Sequence, residues 1–389
     1  YANDAADNLA AVTNARGHAT AYVYNGWGEA IRETSPDRGV TDYVRNQLGN
    51  VTQQTDARGV VSVFSYDPLG RVLTRSFPSA PAETVAYAWD DSAGGNRGIG
   101  RLSQVNDASG SRALRYDGRG NLVAETRVIA GQSYVTAYAW DAADNLIQLS
   151  YPSGRIVSYA RDALGRVASV STRLNAAAAP VAVASGVSYI PFGPVSGLSF
   201  GNGVALSRSY DQDYRLTRIA AVGVSELTYS YDAAGNITAI GEMPNPNFNQ
   251  EFAYDDLNRL IWARGRYNIN TYSYDLAGNR IGQSYAPGAA GVVNESHTIA
   301  LSSNRLLSVS SAAGLRSFAY DAAGNVANDN RPGGVAYNYT HGAAGDLAIV
   351  AQGVAPLASY VHDARHLRAV KSVPGGAVPQ THYLYSPDG

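Results

Sequence analysis

Aromatic and small or polar residues alternate along this chain in short bursts, and each burst ends in the same punctuation. Tyr229 and Tyr231, Tyr272 and Tyr274, Phe318 and Tyr320, Phe252 and Tyr254, Tyr87 and Trp89, and Tyr138 and Trp140 each stand two residues apart. A period of two puts their rings on one face of a β-strand. A second short run follows the punctuation, as in Ile237-Thr238-Ala239-Ile240 or Val72-Leu73-Thr74. Strand, tight turn, strand is a β-hairpin, and no stretch shows sustained helical periodicity.

The punctuation is a motif written many times. It is nearly verbatim at Tyr231-Asp232-Ala233-Ala234-Gly235-Asn236, Tyr320-Asp321-Ala322-Ala323-Gly324-Asn325 and Tyr274-Asp275-Leu276-Ala277-Gly278-Asn279. Looser copies begin at Tyr66-Asp67 (with Gly70), Tyr116-Asp117 (with Gly120) and Tyr254-Asp255. Asp at the first turn position can cap the turn by accepting from backbone N–H groups, and the fourth position then needs a left-handed residue. That is a type I turn with a G1 bulge, the loop in which glycine is favoured. Pro68 stands at the second position, where its fixed φ suits the turn. Where glycine is missing, Asp7, Asp144, Asn258, Asn304 and His366 replace it, residue types that tolerate positive φ. Tyr214 is the exception and predicts a distorted turn.

With the residue four places after the motif tyrosine as a ruler, most steps are 20 to 24 residues, an array period. The ruler jumps from Gly165 to Tyr214, which predicts a degenerate repeat or insertion around 173–210. Asp91 to Gly100 and Met243 to Gln250 read as longer hairpin loops. No linker divides the chain, so residues 1–389 are expected to form one continuous array, itself a fragment of a longer chain. The expected fold is all-β: roughly sixteen hairpins and thirty strands, ~150 Å of sheet at ~4.8 Å per strand. Twist forces so long a sheet to coil or close. Its aromatic face is then expected to pack on neighbouring turns of the ribbon or to line an enclosed space.

Composition narrows the functional classes. The net charge is −2 and no basic stripe stands out, so nucleic acid is a poor partner. There is no cysteine, hence no disulfide, thiolate site or cysteine nucleophile. No apolar run reaches membrane-spanning length. Tyrosine at 27 copies against Phe at 7 and Met at 1 suits surfaces apolar at the ring and wet at the hydroxyl.

These Tyr-Asp-x-x-Gly-Asn/Arg hairpins resemble the YD repeats of the Rhs family, which includes bacterial Rhs proteins, the B and C shell subunits of insecticidal toxin complexes, and the teneurins. Phe252-Ala253-Tyr254-Asp255-Asp256-Leu257-Asn258-Arg259-Leu260, Ser303-Asn304-Arg305-Leu306-Leu307 and Pro191-Phe192-Gly193-Pro194 are similar to bacterial members in particular. The resemblance implies a spiralling ribbon wound into a hollow, cocoon-like shell, non-enzymatic, enclosing a C-terminal toxin domain of the same longer chain until delivery. It implies secretion machinery or sister shell subunits as partners, and a secreted or cell-surface bacterial location. The autoproteolytic signature Asp-Pro-x-Gly-Leu of toxin members is missing here, and Ser386-Pro387-Asp388-Gly389 reads as the next repeat's turn. The alternative is a surface array that binds carbohydrate or a neighbouring cell through its aromatics.

Other candidate chemistry has a plainer reading. His362-Asp363-Ala364-Arg365-His366 resembles a zincin motif with Asp for Glu, but metal binding needs both histidines on one helical face. Its register makes it a hairpin turn. Gly94 to Gly100 could suggest a phosphate loop, yet no helix follows to supply a dipole; a flexible hairpin loop is expected. The repeated aspartates are too many and too equivalent for a catalytic constellation, so neither cofactor nor metal is expected.

Overall fold

The computed structural model describes residues 1–286 and 291–386; the turn expected at 386–389 falls mostly outside them. Among the described residues thirty-five strands, β1 (Ala2–Asn3) to β35 (Gln380–His382), follow one another with only three short 3-10 turns, Pro81–Glu83, Ala93–Gly95 and Pro246–Phe248. Every strand pairs antiparallel with the next in sequence, from β1 with β2 (Leu9–Thr13) to β34 (Arg368–Ser372) with β35. The sheet is therefore an uninterrupted meander, and its first and last strands do not pair.

Segment 173–210 is more regular than its sequence predicts. Strands Val181–Tyr189, Val195–Phe200 and Ala205–Tyr210 keep the meander going. Ile190 to Pro194 closes with the usual bonds, Gly193 N donating to Ile190 O at 3.1 Å, but its left-handed residue is the third, Phe192 at φ 54°, instead of the fourth. The turn at Tyr214 is not distorted either. Tyr214 sits at φ 63°, its N donates to Asp211 O at 3.1 Å, and its hydroxyl reaches Pro191 O on the previous hairpin. Asn304 departs in the other direction: it lies outside the positive-φ set, because its turn, closed by Ala300 N donating to Arg305 O, is one residue longer. Asp7, Asp144, Asn258 and His366 are all left-handed.

Each hairpin gives the ribbon two unlike edges. One carries the turn motif, and the other, the far edge, carries the turns between successive hairpins. The ribbon coils until the motif edge of residues 300–367 lies on the far edge of residues 14–110. About two dozen strands at ~4.8 Å make one winding, ~115 Å around and ~37 Å across. The windings meet edge to edge through turn tips rather than by stacking aromatic faces, which corrects the sequence-based expectation. The apolar core is correspondingly thin: Ile129, Ala369 and Val370, flanked by Tyr134 and Val361, form a cluster that lies across the meeting of the two windings.

Candidate functional site

Most motif turns are closed by the same two bonds. Asp67 N donates to Arg71 O and Gly70 N to Asp67 O. The Asp67 carboxylate accepts from the N–H of Leu69 and of Arg71, both at 2.9 Å. Asp117, Asp255 and Asp275 accept in the same two-fold way, and Asp232 and Asp321 accept from Asn236 and Asn325. The residue after the glycine completes a clamp on the second carboxylate oxygen: Asn236 on Asp232 at 2.9 Å, Arg259 on Asp255 at 2.7 Å. At the turn that begins with Asn25 the polarity reverses, and the asparagine amide donates to Glu29 at 2.8 Å. The Asn236 amide, then its backbone N–H, holds the Asp232 carboxyl below its ordinary value. Asp90 is drawn down to about 2, chiefly by the Arg71 guanidinium and then by Gly100 N–H.

The motif tyrosine has a task that its sequence context does not announce. Between hairpins the ladder stops two residues short: β2 pairs with β3 (Ala19–Tyr24) only as far as Ala11 opposite Ala21. The carbonyl of Leu9 is left without a ladder partner, and the Tyr24 hydroxyl donates to it at 2.8 Å. An unpaired backbone carbonyl away from water is costly, so the ring carries a donor to where one is needed. Tyr66, Tyr116, Tyr231, Tyr254, Tyr274 and Tyr320 repeat the bond on Val51, Leu102, Leu216, Ile237, Leu260 and Leu306 at 2.6 to 2.9 Å. At four positions where tyrosine is replaced, another donor does the same work. The indoles of Trp89 and Trp140 reach Val72 O and Leu122 O, and the guanidiniums of Arg45 and Arg161 reach Ala30 O and Leu146 O. Arginines cover many of these rings: Arg166 lies 4.4 Å from the Tyr189 centroid, Arg259 4.9 Å from Tyr274 and Arg215 5.0 Å from Tyr231.

The seam between windings is polar. Far-edge turns send charged side chains into the backbone of motif turns roughly one winding later. Arg16 donates to Ser303 O and Ala300 O at 2.7 and 2.8 Å and pairs with Asp275 at 3.2 Å. The Asp37 carboxylate accepts from Asn304 N at 2.7 Å, and Arg58 donates to Gly342 O and Ala343 O. Glu83 accepts from Ala344 N, and Asp107 from Ala364 N. Arg127 stands between Asp363 at 3.3 Å and Asp107 at 3.8 Å, both carboxylates almost wholly buried. Further along, the Tyr134 hydroxyl meets His382 Nδ1 at 2.7 Å. Gly324 approaches so closely that a Cβ there would lie 2.3 Å from Asp37 O. A cavity of about 220 Å³ remains in the seam, lined by Arg75, Tyr87 and Asp107 from one winding and by Tyr360, His362 and Asp363 from the other.

The remaining sequence candidates fall into this framework. His362 to His366 is a hairpin turn rather than a helix, closed by Asp363 N on Leu367 O, with His366 bonded to Asp346. Among the described residues no three His, Asp or Glu side chains gather to hold a metal ion. The Gly94–Gly100 loop is pinned, which corrects the expectation of flexibility. The buried Asn96 donates to Asp91 and Leu114 O, and accepts from Tyr116 N at 2.8 Å. No helix of the described residues is long and apolar enough to cross a membrane.

The RHS Repeat family profile matches residues 4–40, 45–80 and 140–177. Among solved structures, the chain is similar to the TcdB2–TccC3 complex, at 18% identity and a TM-score of 0.80, covering 96% of this chain and 23% of that one. It is equally similar to TcdB2–TccC3–Cdc42, at 18% identity, a TM-score of 0.80, and 96% and 22% coverage. To a Photorhabdus luminescens Tc holotoxin pore it is 18% identical with a TM-score of 0.79, over 96% of this chain and 22% of that one. At that identity the likeness is one of fold. The chain spans less than a quarter of the length of the chains it matches. No curated protein sequence matches it.

Proposed function

Starting from a chain built of RHS repeats, we propose that it is a wall segment: a non-enzymatic length of shell that encloses a toxin domain, carried C-terminal to it on the same longer chain, until delivery. The observation that carries this reading is the seam. A sheet whose later motif edge docks on its own earlier far edge becomes a curved wall, and the docking uses side chains placed at successive turns, Arg16, Asp37, Arg58, Glu83 and Asp107. The repeated aspartates support it as well, since each is used in closing a turn, leaving none set apart for catalysis. The alternative of a glycan-gripping array is weakened by the arginines over Tyr189, Tyr231 and Tyr274, because sugar stacking needs open ring faces.

The test is limited proteolysis of the full-length protein with intact-mass readout. A C-terminal fragment that stays bound and undigested, then becomes digestible once the shell is denatured, is the expected result. A freely digestible C-terminal region would overturn the enclosure and move surface binding to first place.

A further inference from the structure

The cavity of about 220 Å³ in the seam has on its wall a cation that the protein does not pair. Arg75 lies in β8 (Val72–Ser76), and among the described residues its guanidinium has no hydrogen bond and no carboxylate partner; its Nε is buried and unsatisfied. Against it lie the rings of Phe77 and Phe64, with centroids 4.8 and 5.9 Å from the guanidinium carbon. A charge drawn out of water without a hydrogen-bonded counter-charge is costly, and burial pushes the Arg75 guanidinium below its ordinary value. Other seam arginines are provided for: Arg16 and Arg58 reach backbone carbonyls across the seam, and Arg127 reaches Asp363. Tyr87 and, from the other winding, His362 line the same space, and among the described residues neither side chain has a hydrogen-bonding partner.

The carboxylates around the cavity are already engaged. Glu83 accepts from Ala344 N and Asp107 from Ala364 N, Asp346 meets His366, and Asp363 accepts from Arg365 N and Leu367 N. They leave Arg75 as the open bonding group and they limit the charge it can take. Four acids beside one unpaired arginine tolerate a singly charged anion and repel a doubly charged one. Phe77, Val85 and Val361 make much of the remaining wall apolar.

We propose that this cavity is a binding site for a small monocarboxylate with an apolar body, its carboxylate on the Arg75 guanidinium and its body against the walls that both windings supply. A planar guanidinium matches a carboxylate through two parallel hydrogen bonds, and the volume suits a single-ring acid rather than a larger ligand. The occupant touches residues 75–108 and residues 342–366 at once, so it ties the windings together and stabilises the docked ribbon in proportion to its occupancy. The Glu83–Ala344 and Asp107–Ala364 contacts, both at the cavity wall, hold the two windings together there. Its walls are therefore in place however much longer the ribbon runs. The site rests on the seam alone, whatever the shell encloses.

The experiment is saturation-transfer NMR on the full-length protein, with phenylacetate as the probe and inorganic phosphate as the competitor. Phenylacetate ring protons should take up saturation and titrate to a plateau, and phosphate at equal concentration should fail to displace them. Arg75→Gln should weaken the apparent Kd about ten-fold or more. Ala348→Phe, which fills the cavity from the other winding without changing its charge, should do the same. Arg208→Gln should leave binding unchanged, since that arginine also has a buried, unsatisfied Nε but lies in Ala205–Tyr210, outside the seam. Hydrogen exchange of the wild type at saturating phenylacetate should slow in residues 75–108 and 342–366 together. This readout and the phosphate competition decide the matter even where a variant loses the wild-type circular dichroism spectrum. A wild type with no saturable transfer, displacement by phosphate on equal terms, a folded Arg75→Gln variant that binds like the wild type, or slowing confined to one winding would each overturn the proposal.

Discussion

Residues 231–236 and 320–325 are the same hexapeptide, Tyr-Asp-Ala-Ala-Gly-Asn, and they fold into the same turn. Their surroundings differ completely. Around Gly235 there is open space, whereas a Cβ on Gly324 would lie 2.3 Å from the carbonyl of Asp37, contributed by a turn almost three hundred residues earlier. One copy stands on the free edge and the other in the seam. Local structure is therefore set by the motif alone, while what a motif touches is set by how many strands make a winding.

Arg127→Ala should break the docked side hardest. It leaves Asp107 and Asp363 buried without their cation, at ~3–5 kcal/mol. Hydrogen exchange should quicken in residues 342–367 and 107–134 and stay unchanged around 231–236. Equal quickening in both regions would mean that the seam is not a separable unit.

The glycine pair sharpens the comparison next. Gly235→Ala places a Cβ at φ 88° and should lose ~1–2 kcal/mol. Gly324→Ala suffers the same strain at φ 86° plus ~1–3 kcal/mol of overpacking against Asp37. Chemical denaturation should show the second variant to be the weaker, and equal losses would count against the seam. The tyrosines should behave in the opposite manner: Tyr231→Phe and Tyr320→Phe each strand one carbonyl, Leu216 or Leu306, at ~1–2 kcal/mol, with no difference between edges. A loss confined to one of them would refute a shared role.

Acid should act on both edges in many small steps. Asp67, Asp117, Asp232, Asp255, Asp275 and Asp321 all have carboxyls lowered from an ordinary value of 3.8. Their contribution is complete above that pH and is lost as pH falls through the folded values, with Asp90, at about 2, among the last. Melting temperatures should therefore fall most steeply below pH 3.8. A steepest fall above pH 5 would place the acid sensitivity elsewhere. The smallest effect belongs to the free tips, where Leu48→Asp should change stability by no more than ~0.5 kcal/mol.

Much of the ribbon was legible in the sequence because hairpins are local. The spacing of Tyr and Gly, the aspartate at the first turn position and the left-handed substitutes Asp7, Asp144, Asn258 and His366 all report on contacts within five residues. The misreadings have local causes too. Tyr214 is tolerated because its ring leans on the preceding turn, and Ile190 to Pro194 keeps the motif's closing bonds without an aspartate by placing its left-handed residue, Phe192, one position earlier. The donor role of the motif tyrosine left a signal that composition obscures: Trp89, Trp140, Arg45 and Arg161 share with tyrosine only an N–H or O–H at the end of a long side chain. The seam left none, since the partners of Arg16 and Asp107 depend on the accumulated curvature of about two dozen strands.

Strictly sequential strand pairing also has a consequence for how the molecule is made. Each hairpin can form as soon as its own residues leave the ribosome, because everything it pairs with is its immediate neighbour. Arg16, however, must wait for Ala300 and Ser303. At a synthesis rate of ~5–20 residues per second, that delay is about 15–60 s. For that interval the nascent chain is a complete secondary structure without a tertiary one, its polar edge groups held by water until the ribbon comes round to meet itself.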